Sequence, residues 1–121
     1  LTGQADIVVV AVPGGAETHH LIDAEVFAAM RSHAHFINIA RGDVVDEAAL
    51  IAALQGGEIG GAGLDVYEHE PQVPEALRKL EHVVLLPHLG TAALEGRYPL
   101  GMMVLDNLEA FFDGKPLPNP V

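Results

Sequence analysis

The chain has 121 residues, with 17 acidic against 6 basic side chains, a formal net charge of −11 and no cysteine. This charge argues against nonspecific nucleic-acid binding and against adsorption to an anionic membrane, because both need clustered basic residues. The lack of cysteine excludes a disulfide scaffold, a thiolate metal site and a thiol nucleophile. Half of the residues are hydrophobic, yet no stretch is long enough to span a bilayer and no secretion signal is visible. We therefore expect a globular cytoplasmic protein.

Four short apolar runs predict β-strands at residues 6–13, 35–40, 60–66 and 83–86. The first run is continuous and rich in valine, which is typical of a parallel strand that is covered on both faces. The third is the weakest prediction, because glycine disfavours strands although it allows close packing.

Apolar residues at helical spacing predict two helices between these strands. The first is expected near residues 26–30, after Asp23 as a possible cap. The second is expected near residues 50–54, after Asp46, and the glycines at 56 and 57 supply a stop.

The end of the chain predicts one long helix followed by an arm. The helix is expected from its apolar stripe, which consists of Leu100, Met103, Val104, Leu108, Phe111 and Phe112. We interpret this stripe as core. The proline-rich tail, residues 115–121, cannot continue a helix and is expected to be extended.

The alternation of strands and helices predicts an α/β fold, namely part of a doubly wound parallel sheet with right-handed crossovers. Ligands of such sheets bind beyond the carboxyl ends of the strands. The segments that follow the predicted strands contain Arg41, His88 and several carboxylates. These segments are therefore the place to look for functional residues.

Arg41 and His88 each allow a functional and a structural interpretation. A guanidinium at a strand end can bind a carboxylate with two parallel hydrogen bonds, or it can pair with a nearby acid such as Asp43 or Asp46. The imidazole of His88 can exchange a proton with a carbonyl oxygen, or it can be a hydrogen-bonded structural group.

Two acids after the third predicted strand, Glu68 and Glu70, are candidates to orient His88 and favour its protonated form. Their chemistry alone does not distinguish them. An anion-binding arginine, a proton-donating histidine and an orienting acid together match the needs of 2-oxo-acid reduction.

Two histidine pairs, residues 19 and 20 and residues 33 and 35, have the spacing of possible metal ligands. No convergent carboxylate cluster accompanies them, so we expect surface residues and no metal site. The glycines between residues 56 and 63 do not spell the dinucleotide fingerprint G-x-G-x-x-G.

Five segments carry distinctive motifs. Residues 8–13 read Val-Val-Val-Ala-Val-Pro, with Thr-His-His-Leu-Ile at 18–22. Residues 37–47 read Ile-Asn-Ile-Ala-Arg-Gly-Asp-Val-Val-Asp-Glu, and residues 63–71 read Gly-Leu-Asp-Val-Tyr-Glu-His-Glu-Pro. Leu-Pro-His-Leu-Gly-Thr follows at 86–91, and the ending Gly-Lys-Pro-Leu-Pro-Asn-Pro-Val occupies 114–121. In this order they resemble the D-isomer-specific 2-hydroxyacid dehydrogenases, and most of all the glyoxylate/hydroxypyruvate reductases.

The resemblance implies a role for each candidate residue. Arg41 would bind the substrate carboxylate, His88 would exchange the proton at the carbonyl oxygen, and Glu70 would pair with His88. Asp65 would accept a hydrogen bond from the nicotinamide carboxamide. The residues implied to contact NAD or NADP are Ala11, Val12, Pro13, Thr18, Ile39, Ala40, Arg41, Asp65, His88, Gly90 and Thr91. Ala93 stands where the family often has a hydroxyl residue, which puts one polar contact in doubt.

The resemblance also implies a division of the chain. Residues 1–92 would be the second half of an NAD(P)-binding domain, and residues 93–121 its C-terminal helix and arm. The glycine-rich fingerprint, the acid that reads the cofactor ribose and the substrate domain would all precede Leu1. We therefore expect this segment alone to bind cofactor poorly and to turn over negligibly.

Two hypotheses of function follow. The first is an enzyme that transfers hydride between a nicotinamide cofactor and a small 2-hydroxy or 2-oxo acid, glyoxylate or hydroxypyruvate above all, in a homodimer. The second is an NAD(H)-sensing protein-interaction module, because the family includes corepressors that keep the same triad. Oxidation of NAD(P)H by small oxo acids distinguishes them.

Overall fold

The computed structural model describes residues 2–120 and contains one four-stranded parallel sheet. Its strands are β1 (Ile7–Val10), β2 (His35–Asn38), β3 (Gly61–Leu64) and β4 (Val83–Leu85), and they lie side by side in chain order. All four lie within the predicted runs. The parallel sheet with its connecting helices confirms the α/β class.

Four helices accompany the sheet: α1 (Ala24–Ala28), α2 (Glu47–Gly56), α3 (Glu75–Arg78) and α4 (Leu94–Phe112). The predicted caps are confirmed, because Asp23 accepts hydrogen bonds from the first turn of α1 and Asp46 accepts one from Ala49. Gly57 ends α2 in the left-handed conformation, with φ 69°. The sequence did not predict α3, since four residues are too few for a helical period to be visible.

The core lies on one face of the sheet. Val10, Phe36 and Leu64 point to this face, where α1, α2 and α3 cover them with Phe27, Leu50 and Leu77. Phe27 and Phe36 meet edge to face, with ring centroids 5.2 Å apart. Burial of this apolar surface is the main force that holds the helices on the sheet.

The opposite face of the sheet is bare. Ile7 and Val9 of β1 are 63% and 54% exposed, and Val84 of β4 is 63% exposed. The prediction that β1 is covered on both faces is therefore wrong for this chain. The reason is topological: strands in consecutive order with crossovers of one hand place every connecting helix on the same face.

The chain forms two compact units, one ending at Pro87 and one beginning at His88. The second unit contains α4 and the tail, where the backbone N–H of Asn119 donates to Asn107 Oδ1 (3.2 Å). Helix α4 begins at Leu94, earlier than its apolar stripe suggested, and includes Pro99. No helix in the described range, residues 2–120, is long and apolar enough to cross a membrane.

The interpretation of the α4 stripe as core is wrong. Its six apolar residues are between 43% and 80% exposed, and Ala110 is the only buried residue of this helix in the described structure. The helical spacing was correct, but spacing shows only that the stripe shares one face. It does not show whether another part of the chain covers that face.

Candidate functional site

A groove of about 660 Å³ opens at the carboxyl ends of β1 and β2. Its lining consists of Ala11, Val12, Pro13, Gly14, Gly15, Ile39, Ala40, Arg41 and Asp43. Six of these were predicted to contact the cofactor: residues 11–13 and 39–41. Parallel strands bring their carboxyl ends to one edge of a sheet, so two segments about thirty residues apart in sequence meet here.

Asn38 at the end of β2 shapes the turn that carries Arg41. Its side chain is almost completely buried, its Nδ2 donates to the backbone oxygen of Arg41 (3.0 Å), and its Oδ1 accepts from the N–H of Ala40 (3.0 Å). A buried amide with both ends bonded fixes the direction of the chain. This role was not predicted from the sequence, although a lone Asn inside an apolar strand was a visible signal.

Arg41 is exposed at the groove. Its Nη1 donates to the backbone oxygen of Ala40 (2.7 Å), and a β-carbon added to Gly14 would lie 2.9 Å from Arg41 Cγ. Among residues 2–120 no ion pair involves Arg41, and Asp46, one suggested partner, caps α2 instead. The remaining guanidinium donors are thus available to an anion from solvent.

Gly14, Gly15 and Asp43 complete the lining but were not among the predicted site residues. Their positions follow from the contact of the two strand ends rather than from a motif. Thr18 was predicted to contact the cofactor but does not line the groove. Its hydroxyl donates to the backbone oxygen of Pro13 (2.8 Å), so it closes the turn that follows β1.

Asp65 follows β3 and is buried, with 8% of its surface exposed. Its backbone N–H donates to the oxygen of Asn38 (3.1 Å), which joins the ends of β2 and β3. Tyr67 continues this edge, and its hydroxyl donates to the backbone oxygen of Leu86 (2.8 Å). Burial raises the pKa of Tyr67, so the hydroxyl stays a neutral donor.

The two acids that the sequence left as equal candidates make different hydrogen bonds. Glu68 lies with Oε1 3.0 Å from Nε2 of His20, and Glu70 accepts a hydrogen bond from the N–H of Tyr67 (3.0 Å). The N–H of Glu68 also donates a hydrogen bond to Glu47 Oε2 (3.4 Å). Burial raises the pKa of the Glu47 carboxyl group.

The second unit begins with the remaining predicted residues, His88, Gly90 and Thr91. All three are exposed, and His88 has a left-handed backbone with φ 55°. The backbone oxygen of Thr91 accepts a hydrogen bond from Arg97 Nε (3.3 Å), which ties the turn to the first part of α4.

The histidine pairs do not form a metal centre in the part of the chain that the structure describes. His33 pairs with Asp6 (2.9 Å), which also binds Arg31 (2.8 Å). The hydrogen bond from His33 is the largest of the effects that lower the pKa of Asp6. His19 and His20 instead contact the turn after Arg41.

Comparison with known proteins identifies the family. Residues 1–90 match the family model described as "D-isomer specific 2-hydroxyacid dehydrogenase, NAD binding domain". The chain belongs to this family.

Relatives of this D-2-hydroxyacid dehydrogenase segment include reductases from plants and bacteria. A hydroxyphenylpyruvate reductase of Plectranthus scutellarioides is 52% identical over the whole chain, which covers 39% of that protein. A glyoxylate/hydroxypyruvate reductase B of Klebsiella pneumoniae is 53% identical over 89% of the chain and 34% of its own length.

A solved structure shares the same fold. The NADPH-dependent glyoxylate/hydroxypyruvate reductase of Sinorhizobium meliloti, crystallised with NADP and malonate, is 45% identical and superimposes with a TM-score of 0.96. The alignment covers 99% of this chain and 38% of that one. The chain therefore spans little more than a third of the length of these relatives.

The groove of this dehydrogenase segment has the size of a small-molecule site, since its volume lies within the usual range of about 300–1,000 Å³. Exposed apolar side chains, among them Ile39 at 55%, offer a surface for a flat ring, and Arg41 provides positive charge beside it.

Proposed function

We propose that the full-length protein containing this chain is an NAD(P)H-dependent reductase of small 2-oxo acids, with glyoxylate and hydroxypyruvate as its leading substrates. One observation carries the proposal: a chain of this dehydrogenase family has a groove at the carboxyl ends of its strands, with an arginine that pairs with no acid in the described structure. The relatives named above support the class of substrate.

The groove residues hold the cofactor in this proposal. Ala11, Val12 and Pro13 line one side, and Ile39 and Ala40 line the other. When bound there, the nicotinamide would supply the hydride that the carbonyl carbon of the substrate accepts. Asp65, buried at the end of β3, accepts a hydrogen bond from the carboxamide and so selects the ring face.

Arg41 binds the substrate carboxylate. A guanidinium presents two parallel donors that match the two oxygens of a carboxylate, and it stays charged at every physiological pH. The turn that carries it is anchored by Asn38, so little conformational entropy is lost when the anion binds.

His88 donates the proton that the carbonyl oxygen needs as the carbon is reduced, and it removes that proton in the reverse direction. The product is the 2-hydroxy acid, and the imidazole is left neutral until it is protonated again. Glu70 has the role of the orienting acid in this proposal. The pairing of Glu68 with His20 supports the choice of Glu70 over Glu68 for this role.

The substrate panel follows from the relatives. Glyoxylate and hydroxypyruvate come first, and hydroxyphenylpyruvate is the third candidate, because the Plectranthus relative is named for it. We further propose a cytoplasmic homodimer, in keeping with the expectations drawn from the sequence.

The test is the oxidation of NADH and NADPH by each of these oxo acids, measured at 340 nm with the purified full-length protein. We expect turnover with glyoxylate or hydroxypyruvate. Cofactor binding without turnover on any of the three acids would contradict the proposal and favour an NAD(H)-sensing module. The ratio of the two cofactor rates also gives the cofactor preference.

A further inference from the structure

The turn after Arg41 is held on one side by the segment that follows β1. The backbone oxygen of Asp43 accepts the N–H of His20 (2.8 Å), and Nδ1 of His19 lies 3.1 Å from the same oxygen. A carbonyl oxygen only accepts, so Nδ1 of His19 is the donor. The backbone at Asp43, two residues beyond Arg41, is therefore held by two hydrogen bonds.

On its other side the same turn lies against the loop after β3. A β-carbon added to Gly42 would lie 1.9 Å from the carbonyl of Tyr67, so the two backbones touch directly. The next residue of that loop is Glu68. Arg41 is therefore carried by a turn held between two other loops.

His20 belongs to the segment that follows β1, and it contacts both the Arg41 turn and the loop after β3. Its N–H binds Asp43, and its Nε2 lies 3.0 Å from Glu68 Oε1. Its backbone is left-handed, with φ 49°, a conformation that is uncommon for a residue with a β-carbon. The edge of its ring also packs on His19, with centroids 4.0 Å apart.

We propose that His20 is a positioning residue for Arg41: through Asp43 and Glu68 it keeps the Arg41 turn between the two loops and so sets the affinity for the substrate carboxylate. The inference rests on the proposed function. The N–H of Ile39 donates to Val10 of β1 and that of Ala40 to Asn38, so the cofactor side of the groove does not depend on His20.

The expected effect is selective. In the full-length protein, His20→Ala raises the KM for the 2-oxo acid and the inhibition constant of oxalate by about three- to tenfold, the size of one net hydrogen bond. The KM for NAD(P)H and kcat stay within about twofold. A variant that merely destabilises the fold lowers the amount of active enzyme and leaves both KM values unchanged.

The control is His33→Ala. It removes a second histidine–carboxylate contact of similar length, to Asp6 (2.9 Å), at the amino end of the sheet. This variant keeps the wild-type KM for the oxo acid. Glu68→Gln retains an oxygen that accepts from His20, so its oxo-acid KM stays close to wild type. Glu68→Ala raises the oxo-acid KM. The double variant with His20→Ala shows no further rise in this KM, because both changes remove the same contact.

Three results overturn the inference. The first is an oxo-acid KM within twofold of wild type in both His20→Ala and Glu68→Ala. The others are an equal rise in the KM for NAD(P)H, and the same rise in the oxo-acid KM in His33→Ala. If His20→Ala does not fold, the oxo-acid KM of Glu68→Ala and of Glu68→Gln tests the inference instead. If the wild-type protein is active and the variants leave the oxo-acid KM unchanged, this inference alone is refuted. Wild-type protein that reduces no oxo acid refutes the proposed function, and the inference falls with it.

Discussion

Arg41 combines a fixed backbone with a side chain that pairs with no acid in the described part of the molecule. Asn38 bonds its backbone oxygen, and Gly14 leaves room for its aliphatic stem. A charged group that is already oriented in the absence of its partner loses little entropy on binding. The geometry at this residue therefore favours anion capture over a structural ion pair.

Arg41→Lys tests the bidentate hydrogen bonding between the guanidinium and the substrate carboxylate. An ammonium keeps the charge but cannot present two parallel donors, so we expect the KM for the oxo acid to rise at least about tenfold while NAD(P)H binding is retained. Steady-state kinetics and a cofactor fluorescence titration measure the two effects. Unchanged kinetics would assign Arg41 a purely structural role.

His88→Gln tests the proton donor. Glutamine keeps a polar side chain without an acid of suitable pKa, and general acid catalysis is worth at least about 10²-fold. We expect reduction to fall by that factor or more, with the cofactor dissociation constant nearly unchanged. A loss of less than tenfold would refute the assignment.

Gly42→Ala tests the contact between two loops. The new methyl group would overlap the Tyr67 carbonyl, and backbone yields less readily than a flexible side chain. We expect a destabilisation of at least about 1–3 kcal/mol, the usual cost of overpacking. Denaturant unfolding provides the value.

Gly101→Ala is the matched control for that variant. Nothing lies within 4 Å of a β-carbon added to Gly101, which is inside α4. Alanine is favoured over glycine in a helix by about 1 kcal/mol, so this change should be neutral or stabilising. Equal losses in the two variants would contradict the steric explanation.

At the scale of elements, α2 shows how local chemistry sets the bounds of a helix that supports the site. Asp46 caps its first turn, and Gly57 closes its last in a conformation that glycine adopts readily. The bridge between Ile22 and Val45 lies just before the cap. The bridge therefore ties the residue just before the α2 cap to the segment that follows β1.

Asp46→Ala is expected to lower the free energy of unfolding by about 0.5–2 kcal/mol, because the N–H of Ala49 loses its acceptor. Asp46→Asn keeps a side-chain oxygen in the same place and should restore most of that loss. Urea unfolding of the three proteins measures both steps. An Asn variant as unstable as the Ala variant would show that the cap bond is not the cause.

At the scale of the whole molecule, exposed apolar surface dominates. One face of the sheet is bare, and α4 exposes Leu94 at 82%, Phe111 at 65% and Phe112 at 80%. Exposed apolar surface of this kind is typical of regions that contact other protein. It agrees with a chain that spans about a third of the length of its relatives.

The 121-residue chain by itself should therefore bind a hydrophobic dye such as anilinonaphthalene sulfonate and self-associate. Replacement of Phe111 and Phe112 by glutamate should weaken both effects, since the two rings form one exposed cluster with centroids 5.4 Å apart. Dye fluorescence and sedimentation velocity measure them. A monomer without dye binding would contradict the prediction.

The elements themselves were predictable because their signals are local. Strand runs bounded by proline, caps at Asp23 and Asp46, and a glycine stop at Gly57 each depend on neighbours within a few residues. The site was partly predictable for a related reason: parallel strands end at one edge, so the segments after β1 and β2 had to meet. The motif at residues 37–47 also indicated the family that the comparisons then established.

The sequence by itself determined the class of fold, the positions of the strands and the segment that carries Arg41. Only the tertiary structure decided that Glu68 pairs with His20, that Asn38 holds the arginine turn, that Gly42 must be small, and that the α4 stripe lies open. The physical reason is distance along the chain. Periodicity and capping act within one or two turns, whereas these contacts join segments that strand order alone brings together.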